Sequence, residues 1–193
     1  MVMLKAQFFV DGWGLAQQQG REQYIKVAAA ANSLKRSLPG RLKLNVDAAV
    51  KEDGIGLGWL LRNKAGVFIE GASKLWFGRL SPWEAELVGI REALSWVKEN
   101  GWDFIEVESD ASKAISEIQG GSSISLVGII AGDIRGLCYC FTEISFSQVR
   151  RSANRAAHVL AQASCSMSGC IFWNEFPYVF LTYVLNIDSI NES

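Results

Sequence analysis

Four short segments of the sequence carry side chains that could bind a divalent metal ion. They are residues 45–49 (NVDAA), 83–87 (WEAEL), 108–111 (ESDA) and 154–158 (NRAAH). Carboxylates that together hold two divalent cations can hydrolyse a phosphodiester bond without any nucleophilic side chain. Because the four segments lie far apart along the chain, only a folded domain can bring them to one place.

The pattern of apolar residues predicts which elements position these segments. Leu42, Leu44 and Val46 alternate with Lys43 and Asn45, which is typical of a half-buried strand. Similar patterns predict further strands at about residues 55–61, 67–75, 104–108 and 143–149. Short links between the first three strands indicate an antiparallel meander.

Helices are predicted between these strands by capping residues and by helical spacing. Ser81 and Pro82 are typical of a helix start, and Asn100 and Gly101 are typical of a helix end. Further helices are expected at about residues 111–119, 124–140 and 152–164, the last with Ser152 as its cap. The order βββαβααβα predicts a mixed α/β sheet with helices on its faces.

Each candidate metal ligand also has an ordinary structural interpretation. Asp47 shares a predicted strand face with Asn45 and Ala49, and an isolated Asp there could simply face solvent. Asp110 ends a predicted strand, where it could cap the following helix, bind a ligand, or do both. A single His on a helix, such as His158, is commonly a structural residue.

Two glutamates compete for the position on the first helix. At about 100° per residue, Glu86 lies at the margin of the apolar face, whereas Glu84 points away from that face. A carboxylate directed toward the core needs a partner or a metal ion. Glu84 has a sufficient role at the helix N-terminus. The spacing therefore favours Glu86.

The four segments together resemble those of the type 1 ribonuclease H family, particularly its plant subgroup related to retrotransposon reverse transcriptases. The resemblance covers residues 41–165 and implies a ribonuclease H-like fold, α/β in class, with a mixed five-stranded sheet and helices on both faces. It also implies that Asp47, Glu86, Asp110 and His158 are catalytic ligands of Mg²⁺ or Mn²⁺. The implied partner is an RNA–DNA hybrid whose RNA strand is hydrolysed.

The fourth ligand position departs from the usual pattern of the family. His158 stands where the bacterial enzymes have Asp, and Arg150, Arg151 and Ser152 occupy the loop where the family has a further His. Imidazole is softer than carboxylate and suits Mn²⁺ better than Mg²⁺. Two alternatives to a nuclease therefore stay open: a weak or inactive domain that only binds nucleic acid, and a protein-interaction scaffold.

Several residues near the proposed ligands are candidates for binding nucleic acid. Arg150, Arg151 and Arg155 cluster beside the predicted site and could contact phosphates, although a solvated basic helix start is an equal alternative. Asn45 and Asn154 are the remaining candidates. The net charge of −1 argues against strong nonspecific binding of nucleic acid but does not exclude a metal-dependent nuclease.

Composition and length set the domain organisation. The 193 residues, 49% of them hydrophobic, predict a helical segment at 1–38 that is an appendage or the remnant of an upstream region, a domain at 41–165 and an aromatic C-terminal tail at 166–193. No run is apolar enough for a membrane span, and no secretory signal is expected. The four cysteines are expected to be reduced and packed as small hydrophobic residues. An intracellular location, with the nucleus as one candidate compartment, follows only from the proposed substrate.

Overall fold

The computed structural model describes residues 40–52, 54–120, 124–165 and 169–174. The predicted helical segment at 1–38 and most of the predicted tail at 166–193 lie outside the described residues. In the described part of the chain, no helix combines the length and the apolar character needed to cross a bilayer.

The described residues form one six-stranded mixed sheet with the strand order β5-β4-β1-β2-β3-β6. The strands are β1 (Leu42–Lys51), β2 (Gly54–Arg62), β3 (Phe68–Trp76), β4 (Ile105–Ser109), β5 (Ile144–Gln148) and β6 (Cys170–Asn174). β1 pairs in parallel with β4, and β4 pairs in parallel with β5. The other pairings, β1–β2, β2–β3 and β3–β6, are antiparallel.

The predicted mixed α/β class is confirmed, but the predicted number of five strands is wrong. The sixth strand, β6, lies in the segment that was expected to be an aromatic tail, and it pairs with β3. Its five residues carry little periodic signal by themselves. Long-range pairing with the exposed edge of β3 therefore decides its conformation, and sequence pattern alone does not report such pairing.

Four α-helices accompany the sheet in the described ranges. They are α1 (Pro82–Glu99), α2 (Ser112–Gln119), α3 (Leu126–Cys138) and α4 (Arg155–Ser164). α1 begins as predicted, because Ser81 and Glu84 form a capping box in which each side chain accepts a hydrogen bond from the other residue's backbone N–H. α3 is shorter than the predicted 124–140.

Two of the predicted helix caps are wrong. Asp110 does not cap α2, because Ala111 holds the N-cap position and no side-chain capping bond is present. Ser152 does not cap the last helix, because it lies inside a 3-10 turn (Arg151–Asn154) that precedes α4. Asp and Ser are common N-cap residues, but the N-cap of each helix lies one or two residues later than predicted.

The helices cover both faces of the sheet. Leu44, Val46 and Leu57 point to one face, where they share a buried core with α1, α2 and α3. Leu60 points to the opposite face and packs against the buried side of α4. β1 is thus enclosed between α1 and α4, the two helices that carry predicted ligands.

Two glycines in β2 let α4 approach the sheet very closely. A Cβ atom on Gly56 would lie 1.9 Å from the carbonyl oxygen of Ala161, and one on Gly58 would lie 2.3 Å from the Ala161 nitrogen. No side chain fits at either position without moving the helix. Gly58 pairs with Asp47 across the strands, so this approach brings α4 directly over the predicted ligand.

The four cysteines are all unpaired, as expected for reduced thiols. Their packing differs from the expectation, however. Cys138 and Cys165 are partly buried, whereas Cys140 and Cys170 are exposed. The description of these residues as packed small hydrophobic side chains is therefore wrong for Cys140 and Cys170.

Candidate metal centre

Asp47 lies at the point where the parallel pairing of the sheet ends. The last paired position between β1 and β4 joins Asn45 to Glu108, so Asp47 extends two residues beyond it. Its side chain is buried. Burial raises the pKa of Asp47 to about 6, although the hydrogen bond from His158 acts in the opposite direction. Because β1 and β4 are no longer paired at this position, groups from both faces of the sheet can reach the Asp47 carboxylate.

Glu86, rather than Glu84, reaches this point from α1. Its carboxylate accepts a hydrogen bond from the backbone N–H of Ala48, while its Oε2 atom is buried without a hydrogen-bond partner. Burial, followed by the nearby charges of Asp47 and Asp110, raises the pKa of Glu86 to about 9. Glu84 is instead occupied in the capping box of α1.

Asp110 joins the other two carboxylates from the end of β4. One ligand oxygen from each of Asp47, Glu86 and Asp110 lies within 4.8 Å of the other two. Oδ1 of Asp110 accepts a hydrogen bond from Nδ2 of Asn154 at 3.1 Å, and Oδ2 lies 4.0 Å from Nε of Arg151. We call these three carboxylates the acidic cluster.

His158 reaches the acidic cluster from the opposite face of the sheet. Its Nδ1 atom lies 2.9 Å from Oδ2 of Asp47, and its Nε2 atom lies 2.9 Å from Nε2 of Gln162. An ionised carboxylate only accepts hydrogen bonds, so Nδ1 carries the proton and Nε2 accepts from the Gln162 amide. Both ring nitrogens are engaged, and His158 is not one of the three clustered ligands.

A buried polar network lies beside the acidic cluster. Asn45 and Asn154, which were predicted to bind nucleic acid, are 0% and 1% exposed and are hydrogen-bonded to each other. Arg62 donates two hydrogen bonds to Asn45, and Lys43 forms an ion pair with Glu108 at 3.0 Å. The role of Asn45 and Asn154 in binding nucleic acid stays a prediction.

Sequence reasoning missed the roles of Lys43, Arg62 and Glu108. The signal was nonetheless present in β2, where period-two alternation puts Gly56, Gly58, Leu60 and Arg62 on one face. In the antiparallel register that face also carries Asn45 and Asp47. A charged residue at the end of this apolar run therefore had to find partners in β1.

Comparison with known proteins identifies the family. The sequence model described as reverse transcriptase-like matches residues 45–164, a range that contains all four predicted ligand positions. The chain belongs to the reverse transcriptase-like family. No curated protein sequence matches it. The plant label of the resemblance stays a prediction.

Several solved structures similar to this family member are ribonucleases H. Ribonuclease H1 from the halophilic archaeon Halobacterium salinarum NRC-1 is 23% identical, with a TM-score of 0.60 over 66% of this chain and 98% of that one. The N-terminal ribonuclease H domain of rv2228c from Mycobacterium tuberculosis is 17% identical, with a TM-score of 0.58 over 66% and 94%.

A third similar structure was solved with nucleic acid. LC11-RNase H1, isolated from compost by a metagenomic approach, is in complex with an RNA/DNA hybrid. It is 15% identical to this family member, with a TM-score of 0.58 over 65% of this chain and 97% of that one. These similarities confirm the predicted ribonuclease H-like fold.

Three arginines of this reverse transcriptase-like chain, at the start of the last helix and in the turn before it, were predicted to contact phosphates. Arg150, Arg151 and Arg155 are all exposed. Arg151 is the one of these three whose guanidinium reaches the acidic cluster, since it forms a 4.0 Å ion pair with Asp110. An exposed guanidinium beside a carboxylate cluster can also contact a phosphate.

The donor set of the acidic cluster suits a divalent cation with oxygen ligands. Three carboxylates this close repel one another, and the raised pKa values of Asp47 and Glu86 express that repulsion together with burial. A cation would offset the repulsion, and it would also give the buried Oε2 of Glu86 the partner that it lacks. Carboxylate oxygens are the ligands that Mg²⁺ and Mn²⁺ prefer.

Proposed function

We propose that this protein binds RNA–DNA hybrids and hydrolyses their RNA strand with two divalent cations, Mg²⁺ or Mn²⁺. Asp47, Glu86 and Asp110 would hold the ions, and His158 would support the second one. The observation that carries the proposal is the convergence of three carboxylates, one of which, Glu86, has its Oε2 atom buried without a hydrogen-bond partner. The similar structure in complex with an RNA/DNA hybrid supports the choice of substrate.

The chain's own residues prepare this centre for phosphodiester hydrolysis. Bound divalent cations would supply Lewis-acid activation of water and neutralise charge at the phosphate. Asp47, which lies between α1 and α4, would serve both ions. Asn154 restrains Asp110 through a hydrogen bond, and Ala48 restrains Glu86 in the same way. Glu86 must lose its proton to bind a cation, because only the carboxylate is a strong ligand.

Binding of the hybrid would use the exposed arginines. Arg150, Arg151 and Arg155 would contact phosphates and set the position of the duplex. Such phosphate contacts do not depend on the base sequence. Preference for RNA requires a group that senses the 2′-hydroxyl. The similarity to ribonucleases H supports that preference.

A second candidate function is binding of nucleic acid without cleavage. The geometry of His158 favours it, because Nδ1 is bound to Asp47 and Nε2 to Gln162, which leaves neither ring nitrogen directed at a free position. Imidazole also brings one negative charge less than the usual carboxylate. The second ion would then bind weakly, and cleavage would be slow or would require Mn²⁺.

Cleavage of a labelled RNA–DNA hybrid in Mg²⁺ and, separately, in Mn²⁺ tests the proposal. We expect metal-dependent cutting of the RNA strand that is lost in Asp47→Asn and Glu86→Gln. Glu84→Gln is the matched control on the same helix, and it should keep full activity because Gln also serves in a capping box. His158→Asp should increase cleavage in Mg²⁺. A folded parent that binds the hybrid but cuts nothing in either ion would establish the binding function instead.

A further inference from the structure

A chain of hydrogen bonds with one fixed direction begins at Arg62. This side chain is 1% exposed, and its guanidinium can only donate hydrogen bonds. Both Nε and Nη2 donate to Oδ1 of Asn45, at 3.1 and 2.8 Å. The carbonyl oxygen of the Asn45 amide must therefore face Arg62, and its NH₂ group must face the other way.

Asn45 passes this direction on to Asn154. Its Nδ2 atom donates to Oε2 of Glu108 at 2.9 Å and to Oδ1 of Asn154 at 3.3 Å. Asn154 consequently turns its own NH₂ group outward, where Nδ2 donates to the carbonyl oxygen of Val46 at 2.9 Å and to Oδ1 of Asp110 at 3.1 Å. A flipped Asn154 would set its oxygen against both of these acceptors, so the network excludes that orientation.

The side chain of Asn154 thereby joins the segments that carry the ligands. One N–H holds β1 at the residue before Asp47, and the other holds Asp110 at the end of β4. Asn154 also occupies the N-cap position of α4, the helix that carries His158. A side chain that is 1% exposed offers almost no surface to a nucleic acid strand.

We propose that Asn154 is a positioning residue of the metal centre, which sets the location of Asp110 relative to Asp47, and that Arg62 and Asn45 fix its orientation. This inference rests on the proposed function insofar as the acidic cluster binds a divalent cation. Asn154 is buried and is not one of the three clustered carboxylates. It acts through Asp110, and partners of this kind typically contribute tenfold to a hundredfold to metal affinity.

Two single variants and their combination give the expected pattern. Asn154→Ala should weaken Mn²⁺ binding by about tenfold or more, because Asp110 loses the donor that orients it. Asn45→Ala should weaken binding in the same direction, although Asn45 contacts none of the three carboxylates. The double variant should bind no more weakly than Asn154→Ala alone, since the two residues act in series.

The test is a calorimetric titration of Mn²⁺ into the full chain, with thermal unfolding followed in parallel. Ile134→Val, which removes a methyl group from the buried core on α3, is the control for lost stability without contact to the cluster. Asn154→Ser serves as a second variant that keeps a capping residue at the start of α4, and it should show the same loss. Mn²⁺ affinity within about twofold of the parent in both Asn154 variants would overturn the proposal, as would an equal loss in Ile134→Val, since the stated expectation is at least tenfold.

Direct metal binding separates this inference from the proposed nuclease activity. A parent protein that binds Mn²⁺ but cuts no hybrid would refute the nuclease and leave the positioning role to be decided by the variants. A parent that does not bind Mn²⁺ at all would overturn the metal centre and the positioning role together.

Discussion

Replacing Glu86 with Gln should stabilise the metal-free protein, and the gain should grow with pH. The folded protein holds the proton of Glu86 tightly, because burial and two neighbouring carboxylates raise its pKa from 4.5 to about 9. The unfolded chain releases that proton near its ordinary pKa. As pH rises above 4.5, the unfolded state is therefore favoured progressively, and the free energy of unfolding falls.

The size of this effect follows from the pKa difference. At about pH 7.5 the carboxyl of Glu86 is ionised in the unfolded chain and protonated in the folded one. This pH is about three units above the pKa in the unfolded chain, and each unit costs about 1.36 kcal/mol, so the free energy of unfolding is lowered by about 4 kcal/mol. At about pH 5 the same calculation gives about 1 kcal/mol. Glu86→Gln removes the titration, so its advantage over the parent should rise by about 3 kcal/mol between these two pH values. A typical domain has only about 5–15 kcal/mol of stability in total.

Urea unfolding of the parent and of Glu86→Gln at both pH values, in the presence of a chelator, measures this difference. Other titrating groups are present in both proteins and largely cancel in the comparison. Saturating Mn²⁺ should then narrow the difference in stability between the two proteins at about pH 7.5, because the cation stabilises the parent by about 2.7 kcal/mol at a hundred times its dissociation constant and the variant by less. A stability difference that is equal at the two pH values would refute the raised pKa of Glu86 and the repulsion inferred from it.

Three further predictions concern the elements around the acidic cluster. Gly58→Ala should lower the free energy of unfolding, measured by urea titration, by about 2 kcal/mol or more, because its Cβ would meet backbone atoms of α4. The control Gly132→Ala, where the nearest neighbouring atom is 3.9 Å away, should change it by no more than about 1 kcal/mol. Equal effects of the two variants would contradict the close approach of α4 to β2. Gln162→Ala should tighten Mn²⁺ binding by about threefold in calorimetry, since it frees Nε2 of His158, and unchanged affinity would show that this atom does not serve the ion. Mn²⁺ affinity should rise by up to about tenfold per pH unit between roughly pH 6 and 8, as the proton of Glu86 is displaced, and a flat profile would contradict that displacement.

Local pattern was sufficient to predict the elements that carry the proposed ligands. The alternation in β1 placed Asp47 and Asn45 on one face, and the antiparallel register agrees with that placement. Helical spacing favoured Glu86 over Glu84, and the structure sets Glu86 against the other two carboxylates while Glu84 caps its helix. Both inferences concern residues whose positions depend on one element alone.

Features that depend on two or more elements were the ones missed. The polar network needs Arg62 from the end of β2 and Glu108 from β4 to meet at Asn45, and no single segment signals that meeting. Asp110 was expected to cap a helix because Asp is a common N-cap residue. Instead its Oδ1 accepts a hydrogen bond from Asn154, which comes from a turn 44 residues later in the chain.

The pairing of β6 with β3 has a consequence for where this domain can be cut. The match to the family ends at residue 164, before β6 begins at Cys170. A fragment ending there would leave the backbone groups of β3 from Glu70 to Lys74 without their partner strand. Exposed strand edges of this kind associate with other chains, so such a fragment should aggregate. During synthesis, likewise, β3 can acquire its edge partner only after residues 170–174, which lie beyond the end of the family match, have left the ribosome.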